Sequence, residues 1–162
     1  MGKTWFYLRQ GALSAHGRGA ISGRAKPSIR VNRNRMLLSP HYVIASNKAA
    51  IVSAINRFRP QFVHAYPSAA AALSEFVQAG DLDFETRGVL LASEAATTAQ
   101  LASIGRLFRY PISMSYGLTE RTNLAFANWN DDSSGLFRFH SLYGVSENRR
   151  NNGCDEIVGT SY

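Results

Sequence analysis

Residues 36–115 alternate between helical and strand periodicity, and this alternation constrains the fold more than any other feature of the sequence. Three segments repeat apolar residues every three or four positions, which predicts three helices. Their apolar positions are Ile51, Ala54, Ile55 and Phe58; Leu73, Phe76 and Val77; and Leu101, Ile104, Leu107 and Phe108. Short apolar runs at 61–65, 88–92 and 111–115 predict strands. We therefore expect an α/β fold with a parallel sheet and right-handed crossovers.

Residues with strong positional preferences mark the ends of these helices. Thr97 and Gln100 have the spacing of a capping box at the start of the third helix. The remaining boundaries are predicted at Ser46 or Asn47 before the first helix, Pro60 after it, Pro67 in the first turn of the second and Gly80 after that.

The two ends of the chain have different patterns. After Glu120, short strand-like runs at 123–129, 136–140, 143–147 and 156–162 are separated by polar turns at 130–135 and 148–153. Short, mostly antiparallel strands are expected there. The first 35 residues are basic and rich in glycine, and 17–19 is predicted as a loop because it lacks the Gly-Lys-Ser/Thr ending of a phosphate loop.

Composition limits the class of protein. A chain of 162 residues with 45% hydrophobic residues is long and apolar enough for one globular domain. No apolar run approaches the roughly 20 residues of a membrane-spanning helix. Cys154 is the only cysteine, so neither an internal disulfide nor a thiolate zinc site is expected, and a cytoplasmic location is the simplest.

Charge is distributed unevenly along the chain. The net charge is +7, no acidic residue precedes Glu75, and most of the basic residues lie between Lys3 and Arg59. Such asymmetry is typical of a nucleic-acid arm, of a segment that faces phosphates, or of a piece of a larger protein whose acidic partners lie elsewhere. Composition alone does not distinguish these three interpretations of the charge asymmetry.

The stretch 113–120 combines the groups that hold a nucleotide. Tyr116 offers a ring for a base, Thr119 a hydroxyl for a phosphate, and Glu120 a carboxylate for a metal. Gly117 permits a positive φ in the turn that we expect after the strand. In open α/β sheets ligands collect at the carboxyl ends of strands, where this turn would lie.

Together with its neighbours, this stretch resembles the adenylate-forming (acyl-CoA synthetase-like) superfamily, and within it the phenylacetate–coenzyme A ligase family in its capsule-biosynthesis-type branch. The matching stretches are 62–68 (FVHAYPS), 90–94 (LLASE), 115–120 (SYGLTE), 139–140 with 143–147 (FH, YGVSE) and 155–160 (DEIVGT). Their order and spacing agree with the family from about residue 36 onward.

The resemblance implies an enzyme that activates a carboxylic acid with ATP and Mg²⁺ as an acyl-adenylate and passes the acyl group to coenzyme A. Tyr116 and Gly117 would lie at the adenine, Thr119 at the α-phosphate, and Glu120 at the magnesium ion. The resemblance also assigns Ser93 and Glu94 to the adenine pocket and Tyr66, Pro67 and Ser68 to the neighbourhood of the acyl substrate.

The resemblance covers only the middle of an adenylating domain. The family's phosphate loop has no counterpart in residues 1–23, the ribose-binding aspartate is expected just after Thr160, and the small lysine-bearing domain is not matched. We therefore expect a basic segment at 1–35, an α/β region with a nucleotide half-site at 36–122 and a β-rich region at 123–162, in one compact unit. On its own, such a chain is expected to be inactive or only nucleotide-binding.

Two alternatives remain open. The first is a basic protein that binds nucleic acid or another polyanion, with Trp5, Phe6 and Tyr7 available for stacking. Its cations would be Arg18, Arg24, Lys26, Arg30, Arg33 and Arg35. The second is a remnant without activity. A domain cut from a larger sheet also exposes strand edges, so self-association as a homodimer is expected.

Overall fold

The computed structural model describes residues 3–8, 29–109, 111–118, 120–128 and 136–162. Within them the strands are β1 (Trp5–Leu8), β2 (Ile29–Asn32), β3 (Arg35–Leu38), β4 (Phe62–Ala65), β5 (Gly88–Leu91), β6 (Ile112–Gly117), β7 (Leu124–Asn128), β8 (Arg138–Phe139), β9 (Gly144–Asn151) and β10 (Cys154–Ser161). The α-helices are α1 (Lys48–Phe58), α2 (Pro67–Ser74) and α3 (Thr98–Phe108). The chain divides into two compact units, Met1–Ile112 and Ser113–Tyr162.

The first unit contains a mostly parallel sheet. Its strands lie in the order β2-β3-β1-β4-β5. β1 runs parallel to β3 and β4, and β4 runs parallel to β5, whereas the edge strand β2 is antiparallel to β3. The predicted α/β class with a parallel sheet is confirmed. No strand was identified from the sequence within 1–35, but two strands lie there: β1 in the middle of these five strands and β2 at their edge.

The helices and one face of the sheet form the core of this unit. The connections from β3 through α1 to β4 and from β4 through α2 to β5 advance in the same direction across the sheet, so crossovers of the same hand put both helices on one face. Alternate strand residues face them and are almost fully buried: Phe6, Leu8, Met36, Leu38, Val63, Ala65, Val89 and Leu91. Each large aliphatic or aromatic side chain buried in this way contributes about 1.5–3 kcal/mol.

The boundaries of α1 and α3 follow the local sequence closely. The Gln100 amide donates a hydrogen bond to Thr97 Oγ1 at 3.2 Å, and the Thr97 amide donates to Gln100 Oε1 at 2.9 Å, so the predicted capping box is confirmed. Asn47 precedes α1, but its side-chain amide donates to the Tyr42 carbonyl instead of capping the helix. The four predicted apolar positions of α3 are all buried.

The second helix is shorter than predicted. α2 ends at Ser74 and not near Gly80, although Val77 is still buried at 1% exposure. Residues Ala79–Asp81 form a separate 3₁₀ turn, in which Gln78 and Asp81 make a capping box of their own. Gln78 has an extended backbone conformation, and this ends the helical path before Gly80.

The second unit is antiparallel, as predicted. β6 pairs with β7, and β7 with β8. β9 and β10 form a separate hairpin of eight residue pairs. The turn between the last two strands is shorter than the predicted 148–153. β9 continues through Asn151, and the turn contains only Asn152 and Gly153, with φ of 49° and 84°. An Asn-Gly pair with both φ values positive is the preferred two-residue hairpin turn. The turn predicted at 130–135 lies outside the described residues.

Among the residues that the structure describes, no helix has both the length and the apolar character needed to cross a membrane.

Candidate functional site

Three parallel strands of the first unit end side by side. Leu8, Ala65 and Leu91 are the last residues of β1, β4 and β5. The Tyr66 amide donates a hydrogen bond to the Leu8 carbonyl at 3.1 Å, and the Ala92 amide donates to the Ala65 carbonyl at 3.2 Å. The stretches predicted for the acyl substrate and for adenine therefore begin next to each other, at the edge of the sheet where ligands of open α/β folds collect.

A hydrogen bond joins these two stretches directly. The Ser68 amide donates to Glu94 Oε2 at 3.2 Å. Pro67 is the first residue of α2 and is buried, whereas Ser68 and Glu94 are exposed. A carboxylate at a helix N-terminus is stabilised by the free backbone amides and the helix dipole. Glu94 thus holds the start of α2 against the loop that follows β5, and this contact links residues 26 positions apart.

Ser93 has a left-handed backbone with φ of 70°. This conformation is uncommon for a residue other than glycine. It turns the chain immediately after β5 and sends Glu94 toward the start of α2. Tyr66, which precedes α2, is half-buried and has an extended backbone.

In the second unit Tyr116 belongs to an aromatic cluster. It lies in β6 opposite Ala125 of β7. Its ring centroid is 6.1 Å from the ring centroids of both Phe137 and Phe139, with interplanar angles of 65° and 83°. Edge-to-face contacts of this kind hold the rings in defined orientations. The cluster was not predicted, although the i, i+2 spacing of the two phenylalanines in a predicted strand could have indicated it.

The turn begins two residues later than predicted, because β6 continues beyond Ser115 to Gly117. Gly117 pairs with Leu124 of β7, and it does not use the positive φ that a glycine permits. The Arg121 amide instead closes the turn by donating to the Leu118 carbonyl at 3.0 Å, and Arg121 itself has a φ of 58°. Glu120 is exposed in this turn. Thr119 lies outside the described residues.

Glu120 has the chemistry of a magnesium ligand but only one carboxylate to offer. In the described part of the chain no group of three or more His, Cys, Asp or Glu side chains could hold a metal ion. Magnesium is commonly bound by one or two carboxylates together with substrate phosphates and water. A single exposed carboxylate such as Glu120 could therefore hold magnesium only together with phosphate or water ligands from elsewhere.

Asn123 lies three residues after Glu120 and is almost fully buried. It is 2% exposed, and neither atom of its side-chain amide has a hydrogen-bond partner among the described residues. Its Nδ2 lies close to Gly159 of β10, where an added Cβ would come within 3.0 Å of it. Leaving such a group unpaired costs about 1–3 kcal/mol. No role was predicted for Asn123 from the sequence.

A cavity of about 210 Å³ lies elsewhere in the first unit. Its lining includes Phe84, Glu85, Phe108 and Arg109, which lie before β5 and at the end of α3. None of the predicted site residues lines this cavity. It is therefore separate from the carboxyl ends of β4 and β5.

Comparisons with known proteins give little support for any assignment. No family model matches the chain, and no curated protein matches it. Among solved structures, the chain is similar to one titled "Crystal structure of CmiS6", with a TM-score of 0.42 and 21% sequence identity. The match covers 56% of this chain and 22% of that chain. A likeness of this extent carries no argument about fold or function.

Proposed function

We propose that this chain is the central part of an adenylate-forming ligase. One observation supports this proposal above the others: the stretches that resemble the family follow successive strands at their carboxyl ends. Residues 66–68 follow β4, residues 92–94 follow β5, and residues 116–120 span the end of β6. A nucleotide-dependent enzyme with an open parallel sheet needs its binding groups at these strand ends.

The proposed reaction has two steps. A carboxylate oxygen of the substrate attacks the α-phosphorus of ATP, which forms an acyl-adenylate and releases pyrophosphate. The thiolate of coenzyme A then attacks the acyl carbonyl carbon and releases AMP. Magnesium, when bound, would neutralise charge on the phosphates while pyrophosphate leaves.

Individual residues have proposed roles in binding. Tyr116 stacks on adenine, and its contacts with Phe137 and Phe139 fix its ring before the nucleotide arrives. Gly117 adds no side chain beside the nucleotide. Thr119 contacts the α-phosphate and Glu120 holds magnesium. Ser93 and Glu94 line the adenine pocket, and residues 66–68 lie near the carboxylic acid substrate.

The chain as given is proposed to bind a nucleotide without completing the ligation. None of its 162 residues matches the family's phosphate loop or catalytic lysine. The partners would be a nucleotide and a small carboxylic acid, in the cytoplasm.

Binding of AMP with magnesium tests this function through Tyr116. Replacing Tyr116 with alanine removes the stacked ring, which weakens binding by about 5- to 150-fold on the scale of base–aromatic stacking. Tyr116→Phe keeps the ring and should keep the affinity. Tyr143→Ala is the matched control, because Tyr143 is a tyrosine of the same unit with 37% exposure and no assigned role. Equal losses in Tyr116→Ala and Tyr143→Ala, measured by calorimetry, would contradict the assignment.

A further inference from the structure

One face of the sheet in the first unit carries aromatic and cationic side chains. Strand register aligns Arg35, Trp5 and Phe62 in one row across β3, β1 and β4. Paired residues of neighbouring strands point to the same face, and successive residues of a strand to opposite faces. The intervening residues, such as Phe6 and Val63, are buried in the core, so this row lies on the face away from α1 and α2.

A second row lies beside the first on the same face. It contains Arg30 of β2, Leu37 of β3, Tyr7 of β1 and His64 of β4. We call the residues of the two rows, Arg35, Trp5, Phe62, Arg30, Leu37, Tyr7 and His64, the aromatic face. Its rings are half-buried and its two arginines are exposed.

The rings of the aromatic face stack on one another. The Trp5 and Phe62 ring centroids are 4.9 Å apart at an interplanar angle of 26°, and the Tyr7 ring meets the His64 ring edge-on at 5.6 Å. Lys3 Nζ lies 5.4 Å from the Phe62 ring centroid, within the range of a cation–π contact. Phe62 is paired on its other side with Gly88, so no side chain of β5 covers its ring at that register position.

The charge around this face is of one sign. Lys3, Arg30, Arg33 and Arg35 are all exposed, and no acidic residue precedes Glu75 in the sequence. Within the described ranges, Lys3 and these three arginines form no ion pair with a carboxylate. An unbalanced basic surface attracts anions. A second copy of this chain would bring the same positive charge to the face, so self-association there is disfavoured.

We propose that the aromatic face binds single-stranded nucleic acid. Arg30 and Arg35 contact phosphates, and a base replaces Lys3 Nζ at the Phe62 ring and extends the Trp5–Phe62 stack over Gly88, which leaves Lys3 to contact a phosphate. Aromatic platforms flanked by basic residues bind single strands in this way with little sequence preference. This activity is separate from the nucleotide half-site, because it uses none of the same residues.

The geometry also corrects the stacking residues expected from the sequence. Phe6 has 0% exposure in the core and cannot contact a ligand, whereas Phe62 and His64 join Trp5 and Tyr7 on the face. Arg18, Arg24 and Lys26 lie outside the described residues.

Titration of the full chain with a labelled oligothymidylate of about 15 nucleotides tests the proposal. The double substitution Arg30→Gln/Arg35→Gln should weaken binding about tenfold or more. It should also reduce the slope of log K against log salt by about 1.4, or 0.7 for each phosphate of the single strand that is no longer neutralised. Arg57→Gln/Arg106→Gln is the matched control, because both arginines lie on helices of the same unit and outside the aromatic face, and it should change binding less than threefold or so.

Tryptophan emission provides a second readout that depends on stacking. In a Trp129→Phe background Trp5 is the only tryptophan, and the oligonucleotide should quench it while inorganic polyphosphate should not. Binding without quenching, or equal quenching by polyphosphate, would overturn the proposal in favour of charge-driven binding alone. The proposal would also be overturned if the Arg30/Arg35 and Arg57/Arg106 double variants lost oligonucleotide affinity equally. A dimer of the chain that excludes the oligonucleotide would overturn it too. Tyr116→Ala should leave oligonucleotide binding unchanged, so the two functions can fail independently.

Discussion

Asp81 connects the 3₁₀ turn Ala79–Asp81 to α1 through both its side chain and its backbone. Its Oδ2 accepts a hydrogen bond from the Gln78 amide at 2.8 Å and lies 2.8 Å from Lys48 Nζ in the first turn of α1. Its backbone carbonyl accepts a hydrogen bond from Asn56 Nδ2 at 2.9 Å. The Gln78 backbone hydrogen bond first, and then Lys48, lower the pKa of the Asp81 carboxyl below its usual 3.8.

This lowered pKa predicts a dependence of stability on pH. Because the pKa of Asp81 is lower in the folded state, its stabilising contribution is present above the unfolded-state pKa and is lost as pH falls through the folded-state pKa. Asp81→Asn should therefore lower the free energy of unfolding near neutral pH. In acid, the free energies of unfolding of the variant and of the wild type should become similar. Urea denaturation from about pH 7 to about pH 3 measures this difference. Asp83→Asn, at an aspartate two residues away, is the control. A deficit in Asp81→Asn that does not change with pH would contradict the explanation.

Residue-level contacts could be predicted from the sequence when they were local. Thr97 and Gln100 are three positions apart, and their reciprocal hydrogen bonds follow from that spacing. Glu94 was predicted to line a pocket, but its bond to the Ser68 amide depends on how β4 and β5 pair. No sequence window contains that information. Tyr116 was predicted in the turn after a strand but lies within β6, and its two phenylalanine neighbours come from a segment about 20 residues later.

At the scale of elements, the hairpin of β9 and β10 depends on two close backbone approaches. A Cβ on Gly144 would lie 2.5 Å from the Thr122 carbonyl oxygen and 2.5 Å from that of Thr160. A Cβ on Gly159 would lie 2.7 Å from Thr122 Oγ1. Any residue other than glycine at these two positions would require the neighbouring atoms to shift. The hairpin is thereby held against the segment that follows Glu120.

Replacing Gly144 with alanine should therefore destabilise the second unit. Both clashing atoms belong to the backbone and cannot rotate away, so we expect a loss of about 1–3 kcal/mol in the free energy of unfolding. Gly80→Ala is the control, because an added Cβ there meets nothing within 4 Å and the change should stay within about 0.5 kcal/mol. Chemical denaturation measures both variants. Equal stability in the two would show that the close approach has no energetic consequence.

Three short strands, β1, β2 and β3, and the second half of β9 escaped prediction for physical reasons. β1 has only four residues, and unlike the runs at 61–65, 88–92 and 111–115 it does not follow a predicted helix, so no alternation of helix and strand marks it. The second half of β9 is polar on both faces, so it was interpreted as a turn. It is paired with β10, where Glu156 and Asp155 lie opposite Arg149 and Arg150 in register, although Arg149 forms its ion pair with Glu147 of its own strand. Opposite charges directly across a strand pair stabilise a sheet, but such pairs can be identified in a sequence only when the strand register is known.

At the scale of the whole molecule, the predicted site residues belong to both units. Residues 66–68, Ser93 and Glu94 are in the first, and Tyr116, Gly117 and Glu120 are in the second. The three helices were predicted because each has a periodic pattern of its own, and β4, β5 and β6 because each is a short apolar run that follows a predicted helix. Homodimer formation stays a prediction, because pairing between chains depends on surfaces that local patterns do not describe.

The net charge of +7 complicates any test with a nucleotide. ATP is an anion and is attracted to the arginines of the aromatic face whether or not a nucleotide site exists. Affinity alone therefore does not distinguish the two surfaces. The position of the bound nucleotide does distinguish them, because Arg30 and Arg35 are far in sequence from Tyr116 and use different chemistry.

The most direct test is an NMR titration of the isotope-labelled full chain with ATP and magnesium. If the chain carries the nucleotide half-site of an adenylate-forming ligase, the largest amide shift changes will occur at Ser93, Glu94, Tyr116, Gly117 and Glu120. In Tyr116→Ala, the amide at position 116 will show no shift change when nucleotide is added. Shift changes confined to Trp5, Arg30 and Arg35, or none at saturating nucleotide, would contradict the central claim.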